Sequence, residues 1–175
     1  MIEVEKKFIL NEQDKWRLTK AAQFLDERVF TDIYYDTEIF PLTAKASAKP
    51  SKIEVTGLFA DEKIPKGTVT WRFNPSFDIL FDPEEIKQMP PEHRELIDRY
   101  AYLSTTTGKF VYSIDDSRFT NHSSVKNTID VVPSPGEPET LGVANRDIEK
   151  GEEMLVNYRA FDAHDENSKE EYLNH

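Results

Sequence analysis

Apolar residues at positions 2, 4 and 8 alternate with charged ones in Ile2-Glu3-Val4-Glu5-Lys6-Lys7-Phe8, the two-residue period of a half-buried strand. Asn11 followed by Asp14 makes an N-cap pattern, and Trp16, Ala21, Phe24 and Leu25 can share one face of the helix that follows. Phe30 to Tyr35 is β-rich and closes at Asp36-Thr37, so the opening reads strand, helix, strand. The composition then changes. Thr43-Ala44-Lys45-Ala46-Ser47-Ala48-Lys49-Pro50-Ser51 is small, polar and proline-ended, and predicts a linker.

From residue 52 the pattern becomes one of short strands and turns. Strand-like stretches run over 52–60, 68–73 and 77–81. Asp82-Pro83 starts a helix, with Asp82 as the cap and proline at the first helical position. Met89-Pro90-Pro91 interrupts it, and a second short helix is expected over 92–100. Strands resume at 109–114, 129–132, 140–144 and 153–158, with a loop over Pro133-Ser134-Pro135-Gly136-Glu137-Pro138. One octapeptide pattern recurs. Ala60-Asp61-Glu62-Lys63-Ile64-Pro65-Lys66-Gly67 resembles Ala144-Asn145-Arg146-Asp147-Ile148-Glu149-Lys150-Gly151, each a polar turn ending in a glycine before strand-like sequence.

Composition narrows the class. A chain of 175 residues fits one ordinary domain, or one domain with a small appendage. Eleven Phe, seven Tyr and two Trp are too many for a disordered chain and suffice for a core. No apolar run reaches the length of a membrane span, and the charged start is unlike a secretory signal, so a cytoplasmic protein without membrane contact is expected. The absence of cysteine removes disulfides, thiolate nucleophiles and cysteine zinc sites. A net charge of -11 repels phosphate backbones, which argues against direct nucleic-acid binding, and attracts cationic partners such as a lysine-rich protein segment.

The densest polar cluster is Arg118-Phe119-Thr120-Asn121-His122-Ser123-Ser124, and about thirty residues on comes Gly151-Glu152-Glu153-Met154-Leu155-Val156-Asn157-Tyr158. Upstream lie Gly57-Leu58-Phe59-Ala60 and Ile64-Pro65-Lys66-Gly67-Thr68-Val69. In this order and spacing, the three blocks resemble the SET-domain protein methyltransferases over roughly residues 51 to 161. Arg118 to Ser123 meets the family's Arg-Phe-x-Asn-His-Ser block; Gly151 to Tyr158 meets its Gly-Glu-Glu-Leu-x-x-x-Tyr block, with Met154 in the Leu position. The compact arrangement, with Trp71-Arg72-Phe73-Asn74-Pro75, looks most like the small stand-alone bacterial members.

The resemblance implies an α+β fold of mostly short curved sheets, S-adenosylmethionine as methyl donor and a lysine-containing protein or peptide as acceptor. It implies Tyr158 as the catalytic tyrosine and donor contacts from Glu54, Thr56, Gly57, Tyr100, Asn121, His122 and Phe161. It places Tyr112 and Val156 along the lysine channel. Three departures carry information. The family's Gly-x-Gly donor loop keeps only its second glycine in Val55-Thr56-Gly57. Ser124 stands where many members have a zinc-binding cysteine, so no zinc is expected. Val156 stands where an aromatic often limits the number of methyl groups, and a smaller side chain implies a roomier channel that admits more than one methylation.

The first residues carry a second resemblance. Glu3-x-Glu5-x-Lys7 and Asp32-Ile33-Tyr34-Tyr35-Asp36-Thr37 look like the opening of a CYTH-type triphosphate tunnel domain, in which the acidic pair binds a divalent metal. In a strand, residues 3, 5 and 7 are expected to share one face. The match stops near Leu42, and half a barrel cannot enclose its ligand. The expected organisation is therefore a CYTH-like fragment or extension over 1–44, a linker over 45–51, a SET domain over 52–162 and an acidic tail over 163–175. Two alternatives to methyl transfer stand beside it: a non-catalytic SET-like module that binds peptide or donor, and metal-dependent triphosphate hydrolysis by the N-terminal segment.

Overall fold

The computed structural model of the chain describes residues 41–166, 168 and 173. The strand–helix–strand expected at the start of the chain, with the Glu3/Glu5/Lys7 face, lies outside the described residues.

The expected linker is instead a strand. β1 (Ala46–Pro50) pairs antiparallel with β2 (Thr56–Ala60), from Ala46 opposite Ala60 to Pro50 opposite Thr56. The reason lies in a period of two hidden by small side chains. Ala44 and Ala46 pack against the core, while Lys45, Ser47 and Lys49 interleave with them. Lys45 reaches Glu62 at 3.4 Å, Lys49 reaches Asp61 at 2.7 Å, and Ser47 Oγ donates to Asp61 at 2.9 Å. Pro50 sits at the end of the strand, where its missing N–H costs the ladder little.

Among the described residues, five strands form a second sheet in the order β3 (Val69–Trp71), β9 (Leu141–Ala144), β8 (Ile129–Val132), β10 (Leu155–Val156) and β7 (Asn121–His122). β3, β9 and β8 run antiparallel in turn, whereas β10 is parallel to both of its neighbours. The core between this sheet and β2 is made by Leu58, Ala60, Ile64, Ile129, Ala144, Ile148, Met154 and Val156. Burial of such side chains, at roughly 1.5–3 kcal/mol each, is the main force holding these short strands together.

The recurring octapeptides pair with each other. Ile64 and Ile148 exchange both backbone hydrogen bonds at 2.9 Å. Gly67 N–H donates to Ala144 O and Gly151 N–H to Ala60 O, each at 2.8 Å. Both glycines need the left-handed backbone, with φ of 85° and 84°. Lys63 ties one copy to the other through Asp147 at 2.9 Å and Glu149 at 3.2 Å. The repeat is thus a local two-fold built from two distant segments.

The third sheet has the order β4 (Asp78–Phe81), β6 (Phe110–Ser113), β5 (Ala101–Leu103), all antiparallel. Helices α1 (Pro83–Lys87) and α2 (Pro91–Tyr100) bury Ile86 and Ile97 against Phe110. α1 begins where Asp82 and Pro83 place it, and the Asp82 N–H donates to Glu85 Oε2 at 2.9 Å. The strand expected over 153–158 is shorter. It ends after Val156, and Tyr158–Ala160 turns into a one-turn 3₁₀ helix because Asn157 Oδ1 accepts from Arg159 N–H at 3.1 Å. A matching 3₁₀ turn, Asp116–Phe119, precedes β7 and is capped by Asp115.

Asp78 is buried where β4 meets β6, with Oδ1 accepting from Ser113 Oγ at 2.5 Å and Oδ2 from Asn74 N–H at 2.8 Å. Burial pushes its carboxyl up to about 6, aided by the charges of Asp115 and Glu139 and opposed by those two hydrogen bonds. A raised folded-state pKa favours the folded state while Asp78 is protonated; that contribution is complete below the unfolded value of about 3.9 and is lost as pH rises through about 6. Asp78→Asn, which does not titrate, should therefore gain in melting temperature relative to the wild type as pH rises from about 4 to about 7. A difference between the two melting curves that stays constant over that range would show that Asp78 is ionised throughout.

Candidate functional site

The two polar blocks of the sequence meet through the parallel pairing of β7 with β10. Leu155 lies opposite Asn121 and Val156 opposite His122, and Ser123 N–H extends the ladder to Val156 O at 3.0 Å. This register brings Tyr158 next to His122. The Tyr158 N–H donates to His122 Nδ1 at 3.1 Å, so the neutral imidazole carries its hydrogen on Nε2. The Tyr158 hydroxyl donates to Thr120 O at 2.8 Å, and the two rings stand edge to face at 5.2 Å. The hydrogen of the phenol is thus committed to the Thr120 carbonyl.

Asn121 and His122 are buried, at 5% and 4% exposure. The Asn121 Nδ2 donates to Glu153 Oε1 at 2.9 Å and Thr56 O at 3.0 Å, with Ser51 Oγ at 3.4 Å. A carboxylate and a carbonyl can only accept, which fixes the orientation of the amide.

Asn121, His122 and Tyr158 line a cavity of about 1010 Å3, together with Glu54, Thr56, Tyr100, Val156 and Phe161. The volume and the mixture of aromatic walls with a few converging polar groups suit a small-molecule site. Two of the expected residues stand elsewhere. Tyr112 lies on β6, packed against the Ile86/Ile97/Phe110 cluster, and does not line the cavity. Gly57 is behind the wall, and the space beside its Cα is taken by the Glu153 side chain.

Three residues that the sequence reading passed over complete the site. Trp71 and Tyr102 extend the aromatic wall: Trp71 to Tyr102 at 6.4 Å, Tyr102 to Phe161 at 4.8 Å, and Phe161 to Tyr158 at 6.0 Å between ring centres. Burial, with the nearby charges of Glu139, Asp78 and Asp162, drives the Tyr102 phenol well above its ordinary range and keeps it neutral. Tyr102 sits on β5, a strand hidden in the sequence behind the end of α2. Glu153 belongs to the second block but was given no role. Tyr100 and Phe119, also in the lining, pack edge to face at 5.8 Å, with Arg99 over the first ring and Arg118 over the second.

The family model for the SET domain matches residues 55–159, and the chain belongs to that family. The class is that of protein methyltransferases which use S-adenosylmethionine and act on lysine-containing proteins. Among solved structures, the chain is similar to a "putative histone methyltransferase" of Plasmodium falciparum, with 20% identity, 65% of this chain and 91% of that chain covered, and a TM-score of 0.45. It is also similar to a humanized mutant of the Chaetomium thermophilum Polycomb Repressive Complex 2 bound to the inhibitor GSK126, with 25% identity, 67% of this chain and 15% of that chain covered, and a TM-score of 0.49. No curated protein matches. The family assignment rests on the family-model match, not on these superpositions.

Thr70, on β3, also lines the cavity; its Oγ1 is buried and makes no hydrogen bond among the described residues. An unmade bond of this kind carries a desolvation cost of about 1–3 kcal/mol. Thr70→Val, which keeps the shape and removes the hydroxyl, should raise the denaturation midpoint, with a gain of about 1 kcal/mol in urea unfolding. A loss of stability would mean that the hydroxyl has a partner in solution.

Proposed function

We propose that the chain transfers a methyl group from S-adenosylmethionine to the side-chain amine of a lysine in a protein. The observation that carries this reading is the convergence of Asn121, His122 and Tyr158 on one wall of a single cavity, brought there by the β7–β10 register. The residues present fit the donor. Buried polar groups at Asn121 and His122, the Glu54–Thr56 edge and the flat faces of Tyr100 and Phe161 offer the hydrogen-bonding and stacking surfaces that a nucleoside bearing an amino acid needs. When bound, the donor supplies an electrophilic methyl group on a sulfonium centre.

The chain's own residues then have a positioning task. A free lysine, with a pKa of about 10.4, is protonated near neutrality and has no lone pair to offer. Tyr158, held by Thr120 and by the ring of His122, presents a phenol oxygen that can accept an N–H from the substrate amine and orient its lone pair. The walls of Trp71, Tyr102 and Phe161 exclude water from the path and favour the uncharged amine by desolvation. Val156, 7% exposed and next to this path, leaves room that an aromatic would fill, and supports the reading that the amine can be methylated more than once.

Calorimetric titration of S-adenosylmethionine, without added metal, should show saturable binding to the wild type and its loss in Asn121→Ala. Tyr158→Phe should retain donor binding and lose turnover by on the order of 100-fold on a responsive lysine substrate. A folded wild type that does not bind the donor would defeat the proposal. On the same substrate, mass spectrometry should find di- or trimethyl-lysine from the wild type and mainly monomethyl-lysine from Val156→Phe. Monomethyl product alone from the wild type would contradict the roomier channel.

A further inference from the structure

Glu153 stands one layer behind the cavity wall. It does not line the cavity, yet its Oε1 receives the Asn121 amide at 2.9 Å, and the same amide holds the Thr56 carbonyl at 3.0 Å. The backbone places it there: Glu153 bridges to Phe59, and Met154 N–H donates to Leu58 O at 2.8 Å, so the 152–154 segment runs alongside β2. The side chain then crosses directly over Gly57. A Cβ at position 57 would collide with Glu153 Oε1 and lie 2.9 Å from Ser51 Cβ. Gly57 has an ordinary extended backbone and is absent from the left-handed glycines, so its lack of a side chain, not its conformational freedom, is what matters. The retained glycine of the donor loop is needed to admit a carboxylate.

We propose that Glu153 is a positioning residue for donor binding, and that Gly57 exists to let it reach Asn121. Both amide hydrogens of Asn121 are committed, to Thr56 and to Glu153, so the group left for a ligand is its Oδ1 acceptor. Without the carboxylate, the amide loses one of its two fixed partners and can rotate or exchange its oxygen and nitrogen, and the Thr56 edge of the wall is no longer pinned to β7. Glu153 thus acts through Asn121 and Thr56, and touches no ligand itself. The inference rests on the reading of this wall as the donor side and deepens it.

The test is a cycle of four proteins beside the wild type: Glu153→Gln, Glu153→Ala, Gly57→Ala and the Gly57→Ala/Glu153→Ala double variant. Each is measured for S-adenosylmethionine affinity by calorimetry, for melting temperature, and for kcat and donor KM on a lysine substrate. Glu153→Gln keeps an acceptor oxygen and should bind the donor within about threefold of wild type, because a neutral acceptor gives up only part of a charged hydrogen bond. Glu153→Ala should weaken the donor by about tenfold, in KM more than in kcat, with a fold intact by melting. Gly57→Ala should weaken the donor at least as much, because it displaces the carboxylate. In the Glu153→Ala background the same change should cost little, so the two losses do not add.

Wild-type donor affinity in Glu153→Ala, or additive losses in the double variant, would overturn the proposal while leaving the methyl-transfer reading standing. Failure of the wild type to bind the donor would end both. Loss of melting temperature in Glu153→Ala that tracks the loss of affinity, without rescue by Glu153→Gln, would show a structural role alone and would also overturn it.

Discussion

The parallel alignment of Asn121–His122 with Leu155–Val156 is the constraint on which the site depends. Parallel strands cannot be joined by a tight turn, so this pairing unites segments more than thirty residues apart. Its register decides everything downstream. A slip of one residue would turn His122 away from the Tyr158 N–H and separate Asn121 from Glu153. The strand is short because the site needs it to be. At Asn157 the chain stops extending, and a single 3₁₀ turn aims Tyr158 across the sheet edge to Thr120. Two residues of strand set the position, and one turn sets the direction.

Much of this was legible in the sequence, for physical reasons that differ by element. The helix start at Asp82-Pro83 and the strand at 129–132 carry local signals, a cap and a β-branched run, that need no tertiary help. The polar blocks at 118–123 and 151–158 stood out by their density of polar side chains, and the β7–β10 pairing sets them side by side. The strand at 46–50 was not, because alanine gives a weak hydrophobic signal and the lysines between masked a period of two. β5 was missed for a related reason: Ala101 to Leu103 follows α2 without a break, and only pairing with β6 separates the two. Tyr112 was assigned to the channel from a family resemblance alone, and its strand packs it against the helices instead.

Gly57 is the most instructive residue. A glycine in a donor loop invites the explanation that the ligand must approach the backbone. Here the neighbour that needs the space is part of the protein, an acidic side chain that reaches over Gly57 from the segment beside it. Sequence spacing cannot distinguish the two cases, since both require the same missing Cβ. The distinction comes from the partner across the strand, and position 153 is almost a hundred residues away.

The mutual embrace of the two octapeptide turns bears on how the chain reaches this structure. Each turn closes with one bond of its own, Thr68 N–H to Pro65 O and Glu152 N–H to Glu149 O, but Ile64 and Ile148 bond only each other, and Gly67 and Gly151 each donate into the opposite copy. A hairpin could form within microseconds from its own residues, but this arrangement must wait until a long intervening loop has closed. Such non-local contacts place the domain among slower folders. On a ribosome, the first copy would emerge with its hydrogen-bonding groups in water and remain so until the second had been synthesised. The two-fold that makes the finished core compact is therefore unavailable to a partly made chain, and the cavity wall built on β7 and β10 comes into being only as the last third of the domain arrives.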